Sequence, residues 1–146
     1  MTLPPDLTLT QLCSHRNEAQ FFATLGHFFA CPKVRRDCGG YPLNDGPLYR
    51  WFVIRRNANA PVLAFASVQP QGTTLHWREA YVTPEARQQG LFRALRQRVL
   101  DHADQHHLDC TTRVRDAHAP RLLPYGFNVL GARGKWITLQ RKYHDQ

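Results

Sequence analysis

An α/β (α+β) fold, with a mixed, mainly antiparallel sheet of about six to seven strands flanked by helices, is what the order of apolar patterns in this chain predicts. Three observations carry that expectation. Alternating β-branched and aromatic runs fill residues 48–83 and are separated by turn residues. A helical stripe follows at once over LFRALRQRVLDHADQH, residues 91–106. The whole chain then reads β, α, β, β, β, α, β, α, β, β, and its 146 residues, 42% of them hydrophobic, suit one domain spanning 1–146.

The first strand is expected from Thr8 to Leu12, after a loose Pro4-Pro5 leader. Ser14 or Asn17 then caps a helix over EAQFFATLGHFFA, whose Phe21, Phe22, Leu25, Phe28 and Phe29 cluster on one side as a core face. His27 on that helix is read as structural or surface. Residues 31–47, CPKVRRDCGGYPLNDGP, show no hydrophobic period and read as a loop long enough to suggest function.

Leu48 to Arg55 and Val62 to Gln69 read as strands joined by a turn at residues 57–61, and Gln71-Gly72 turns the chain into a third strand from Thr73 to Thr83. This is an antiparallel meander. After the long helix come a strand from Asp109 to Val114, a short broken helix near Ala117 to Leu123, and a final strand from Lys135 to Lys142.

Between the third meander strand and the long helix lies Arg87-Gln88-Gln89-Gly90-Leu91-Phe92. A glycine-bearing loop that opens a helix gathers backbone N–H groups with no acceptor inside the helix, and the helix dipole adds positive charge there. It is a seat for phosphate. Leu91, Phe92, Leu95, Val99, Leu100 and Ala103 fix the helix to a core, while Arg87, Arg93 and Arg96 bring cationic side chains to its start.

These residues resemble the GNAT superfamily of N-acetyltransferases, whose loop reads Arg/Gln-x-x-Gly-x-Gly/Ala after a strand of the type Tyr-Val-x-Pro-Glu. Arg87, Gln88, Gln89 and Gly90 match, and Phe92 departs from the small residue usual at the last place. Tyr125-Gly126-Phe127 echoes the family's downstream Gly-Phe, and the resemblance covers roughly residues 48–142. It implies an acyl-CoA-dependent N-acyltransferase, with acetyl-CoA as co-substrate and a small-molecule or peptide amine as acceptor. It also implies a CoA site of Tyr81, Val82, Arg87, Gln88, Gln89, Gly90, Leu91, Phe92 and Arg93, reached through a gap between the strands ending at Val82 and starting at Cys110.

Acetyl transfer to an amine needs a base for the amine proton and a proton source for the departing thiolate. Glu79 is the candidate base; His76, three residues earlier, would face the opposite side of a regular strand. The family's usual acid is a tyrosine four residues before the Gly of Gly-Phe, and here that place holds Leu122, so Tyr125 is the substitute candidate. In the family plan the 31–47 segment walls the acceptor site, which makes Tyr41, Asn44 and Asp45 candidate substrate contacts.

Net charge is +8, from 19 Lys and Arg against 11 Asp and Glu, which favours anionic partners. Nucleic acid is one such partner. A second reading is therefore a phage-type GNAT-related enzyme acting on DNA or a modified nucleobase, with Lys33, Arg35, Arg36, Arg55 and Arg56 holding phosphates beside Tyr49 and Trp51. A third is a non-catalytic CoA- or nucleotide-binding module. Cys13, Cys31, Cys38 and Cys110 have no zinc-like spacing, so no metal is expected, and reduced thiols without a membrane span point to the cytoplasm. Monomer and homodimer remain open.

Overall fold

The computed structural model describes residues 3–144. Its elements in chain order are β1 Thr8–Leu12, α1 Glu18–Ala30, α2 Pro32–Asp37, β2 Arg50–Arg55, β3 Ala64–Gln71, β4 Thr74–Val82, α3 Leu91–Gln105, β5 Asp109–Arg115, β6 Asn128–Arg133 and β7 Trp136–Arg141. Short 3-10 turns lie at Pro84–Ala86, Ala119–Arg121 and Leu123–Tyr125. The seven strands form one sheet in the order β1-β2-β3-β4-β5-β7-β6, in which only the β4–β5 pair is parallel. α3 is the crossover that a parallel pair requires.

Strand alternation sends side chains to two cores. Phe52, Ile54, Ala64, Ala66, Leu75 and Trp77 pack on one face with Leu91, Leu95, Val99 and Ala103 of α3. Trp51, Val53, Phe65 and Tyr81 pack on the other with Phe21, Leu25 and Phe28 of α1. The stripe read from sequence on α1 is therefore the buried one, except that Phe22 is exposed. Asn17 rather than Ser14 caps this helix, accepting from the Gln20 amide at 3.0 Å.

Residues 31–47 are not wholly loop. Pro32 stands at the first helical position of α2, where its fixed φ favours a turn of helix and its missing N–H costs nothing. Val34 is the side chain α2 buries. β2 starts at Arg50 rather than Leu48, because Tyr49 closes a turn onto the Gly46 carbonyl at 3.1 Å. Tyr49 and Trp51 are core residues, so neither is available as a stacking surface for bases. Among the described residues no helix is long and apolar enough to cross a membrane.

On α3, His102 meets the Phe52 ring edge-on at 5.7 Å and lies 4.4 Å from the His106 ring. Burial first, then the neighbouring charges of His106, Arg98 and Arg50, hold its pKa down to about 4. A native pKa below the unfolded value means the unfolded chain binds a proton that the native state refuses, from the ordinary value of 6.5 down to about 4. Stability should therefore fall as pH drops through that window. Denaturant midpoints measured across it check this, and His102→Gln should flatten the dependence; an equally steep fall in the variant would assign it elsewhere.

Candidate active site

The parallel pairing of β4 with β5 runs from Thr74–Asp109 to Trp77–Thr112 and stops. β4 continues to Val82 and β5 to Arg115, so their last residues diverge and leave a cleft of about 480 Å³ lined by both. At the point of divergence the β3–β4 register slips: Ser67 faces Glu79 and Val68 faces Trp77, which leaves Arg78 as an extra residue. This is a β-bulge. The Trp77 indole N–H donates to the Glu79 carbonyl at 3.1 Å, and the Thr112 hydroxyl donates to the Trp77 carbonyl at 3.1 Å. Backbone groups released by the bulge thus find side-chain partners.

The bulge also changes which way side chains point. Leu75 and Trp77 before it, and Ala80 and Val82 after it, pack toward α3. His76 and Glu79 therefore share the opposite face, against the expectation from a regular strand, and both line a second cavity of about 650 Å³. Burial raises the Glu79 pKa to about 7, with the Arg78 charge pulling the other way. A carboxyl in this state is half ionised near neutrality and suits proton abstraction. His76 has its Nδ1 2.8 Å from the Thr111 hydroxyl, and its pKa is lowered by burial and then by Arg78. The Cys38 thiol is pushed up to about 12 by burial, then by Glu79 and Asp37, and so stays protonated and unreactive.

At the head of the cleft, Gly90 caps α3 in a left-handed conformation, φ +79°, and a Cβ built on it meets nothing within 4 Å. Gln88 is also left-handed, φ +65°. The Ala94 amide donates to the Gly90 carbonyl at 3.1 Å, while the amides of residues 88–92 meet no backbone acceptor among the described residues. That open row is the cradle a diphosphate requires. The Thr83 amide donates to the Leu63 carbonyl at 2.9 Å, and alternation then turns the polar groups of Val82 away from β3 into the cleft. Tyr81, by the same alternation, spends its backbone on β3.

The side chains of the loop behave differently from its amides. Arg87 does not lean over the cradle: its Nε donates to the Val82 carbonyl at 2.9 Å and its guanidinium pairs with Asp37 at 3.2 Å, tying the loop to α2. Leu91 is core. Phe92 stacks on Trp77 at 5.9 Å and forms part of the cleft wall, which is why a large residue is accommodated at this place. Gln89 reaches back to the Glu85 carbonyl at 3.4 Å, and Arg93 lies on the exposed first turn of α3. Arg96 is buried, with its guanidinium carbon 3.6 Å from the Tyr125 ring centroid, and is not a phosphate contact.

That contact removes Tyr125 from the site. Its ring lies under Arg96 and lines neither cavity, whereas Leu122, 3% exposed, does line the cleft. An aliphatic side chain stands where a hydroxyl was sought. Of the predicted acceptor contacts, Tyr41 and Asn44 border the larger cavity. Asp45 does not; it accepts the Trp51 indole N–H at 3.0 Å and so anchors the loop. Arg78, Arg113, Arg115 and Trp136 line the clefts and were not anticipated. Arg113 and Arg115 carried a signal in their i, i+2 spacing on a strand. Trp136 carried none, since its place depends on pairing with Arg115 across β5 and β7.

A family model described as the acetyltransferase (GNAT) family matches residues 13–127. The chain belongs to this family. No curated protein matches it, but solved structures share its fold. The ribosomal-protein-S18-alanine N-acetyltransferase of Escherichia coli is 20% identical with a TM-score of 0.67, the match covering 92% of each chain. Escherichia coli ElaA is 14% identical with a TM-score of 0.74, covering 93% of this chain and 99% of its own. An acyl-CoA N-acyltransferase from Pseudomonas aeruginosa is 18% identical with a TM-score of 0.75, covering 92% and 99%.

Gly39, φ +103°, lies so close to Trp136 that a Cβ would sit 2.7 Å from the ring. Its neighbour Gly40, φ +91°, has nothing within 4 Å. Gly40→Ala should cost about 1–2 kcal/mol of backbone strain, and Gly39→Ala should cost about 1–3 kcal/mol more as the ring is displaced. Denaturant titrations of the two variants compare them directly; equal losses would show that Trp136 yields freely.

Proposed function

We propose that this protein transfers an acetyl group from acetyl-CoA to a primary amine. The observation that carries the reading is the row of open amides at residues 88–92, placed at the mouth of the β4–β5 cleft with Glu79 inside it. The residues fit the donor: the cradle takes the diphosphate, the Val82 backbone lies along the path of the pantetheine arm, and Phe92 and Leu122 wall it. Acetyl-CoA supplies the activated thioester.

This chain's own groups supply the rest. The Val82 amide, facing the cleft, is positioned to stabilise charge growing on the carbonyl oxygen. Glu79 in its ionised form takes the proton that the amine sheds as its nitrogen bonds to the acetyl carbon and the carbon–sulfur bond breaks. With Leu122 at the usual acid's place, the thiol leaves as its anion and is protonated by water, which its ordinary pKa of about 8.5 permits near neutral pH. Alignment in the cleft provides much of the remaining acceleration. Four free cysteines agree with a reducing cytoplasm, and the continuous seven-stranded sheet agrees with residues 1–146 working as one acyltransferase unit.

Gly90→Glu tests the cradle. A side chain here meets no atom but must take a left-handed φ, so the variant should lose about 1–2 kcal/mol in buffer and, measured against that lowered midpoint, show none of the stabilisation given by acetyl-CoA; retained stabilisation would move the diphosphate elsewhere. Glu79→Gln tests the base. In the wild type kcat/KM should rise with pH through about 7, as the carboxyl ionises. The variant should keep acetyl-CoA binding, lose that rise, and turn over about a hundredfold or more slowly. An unchanged pH profile would remove Glu79 from the role.

A further inference from the structure

The acceptor cavity is unusually cationic for a site that must receive an amine. Thr111, Arg113 and Arg115 alternate on β5 with Cys110 and Val114, which pack toward α3. Arg113 and Arg115 therefore project to the face of the sheet that carries His76 and Glu79, the face away from the α3 cradle. Both guanidinium carbons lie 5.0 Å from the Trp136 ring centroid. Stacking on an indole orients a guanidinium while leaving its N–H edge free to donate.

Neither arginine has a carboxylate within ion-pairing distance among the described residues. Asp37, at the cleft edge, is already paired with Arg87. Glu79 is the one carboxyl lining the larger cavity, which it shares with Arg78 and Arg113. Two like charges two residues apart on one strand repel each other and are tolerated at an exposed surface. Arg113 and Arg115 are exposed, but both stand on one indole ring at the rim of the cleft that Glu79 also lines, and there they form a fork for an oxyanion. The cleft lined jointly by Glu79, Arg113, Arg115 and Trp136, of about 480 Å³, admits a small molecule.

We propose that the acceptor is a small amine bearing an oxyanion, a carboxylate or a phosphate, which Arg113 and Arg115 hold on Trp136 so that the amine is presented to Glu79. This rests on the acetyl-transfer reading and adds the substrate class to it. Trp136 is a positioning residue here. Its seat against Gly39 and the ring of Tyr41, 6.1 Å away, fixes where the two guanidinium groups stand. Because these groups lie on the face opposite the diphosphate cradle, their charge is set to meet the acceptor's oxyanion rather than the diphosphate of the donor.

The test is acetyl-CoA-dependent turnover of matched amines: β-alanine and γ-aminobutyrate against β-alaninamide and γ-aminobutyramide, and O-phosphoethanolamine against ethanolamine. The proposal expects kcat/KM about tenfold or more higher for the anionic member of at least one kind of pair, since charge-assisted hydrogen bonds discriminate at that level. The carboxylate and phosphate pairs tell which oxyanion is meant. In the Arg113→Gln/Arg115→Gln double variant the ratio should fall toward unity. Equal turnover of the paired amines, or a preference that survives in the double variant, overturns the proposal. If no amine of the set is turned over, calorimetric titration with glutarate and with inorganic phosphate decides: saturable binding lost in the double variant supports it, and absence of binding overturns it. Binding of acetyl-CoA, followed in parallel by thermal shift, separates this outcome from failure of the acetyl-transfer reading.

Discussion

Everything in the cleft depends on one failure of pairing. β4 and β5 hydrogen-bond from Thr74 to Trp77 and then part, because the extra residue at Arg78 twists β4 away and Trp77 and Thr112 take up the backbone groups at the fork. Had the ladder continued to Val82, its amides would be spent on β5 and no gap would exist. The same extra residue brings Glu79 to the acceptor face beside His76. Cleft and base are thus two results of a single local irregularity.

The sheet then divides the work between its faces. On the α3 side are main-chain donors, with Phe92 and Leu122 as apolar walls, fit for a long diphosphate-bearing chain. On the α1 side are ionisable groups: Glu79, whose half-buried carboxyl has its pKa raised to about 7, and the arginines around it. Arg78 opposes the burial of Glu79 and keeps its pKa from climbing further. Part of the basic character of the sequence is local, since Arg36, Arg78, Arg87, Arg113, Arg115 and Arg121 line the cleft, while Tyr49 and Trp51 are core residues and offer no stacking surface.

Much of the fold was legible because it is written in periods. The α1 stripe, the alternation of the meander and the stripe of α3 gave elements within a few residues of those observed, and the glycine before α3 marked the turn that opens this helix. What could not be read was set by distant partners. No pattern announces a bulge, so His76 and Glu79 were assigned to opposite faces. Tyr125 looked like a substitute acid from its place beside Gly126, but it lies under Arg96 of α3. Asp45 looked like a substrate contact and instead satisfies the indole of a buried Trp51. α2 hid in a Pro- and Gly-rich stretch too short for a period.

The cradle before α3 is made of peptide N–H groups, and a peptide looks the same whatever side chain it carries. Mutation can rewrite Gln89 or Arg93 without altering the donors themselves, and the left-handed turns at Gln88 and Gly90 are what tie the row to particular amino acids. A lineage that held an acyl donor this way would be free to exchange almost every other letter while retaining the same chemistry of attachment. Kinship would then survive in the shape of the chain long after it has faded from the spelling.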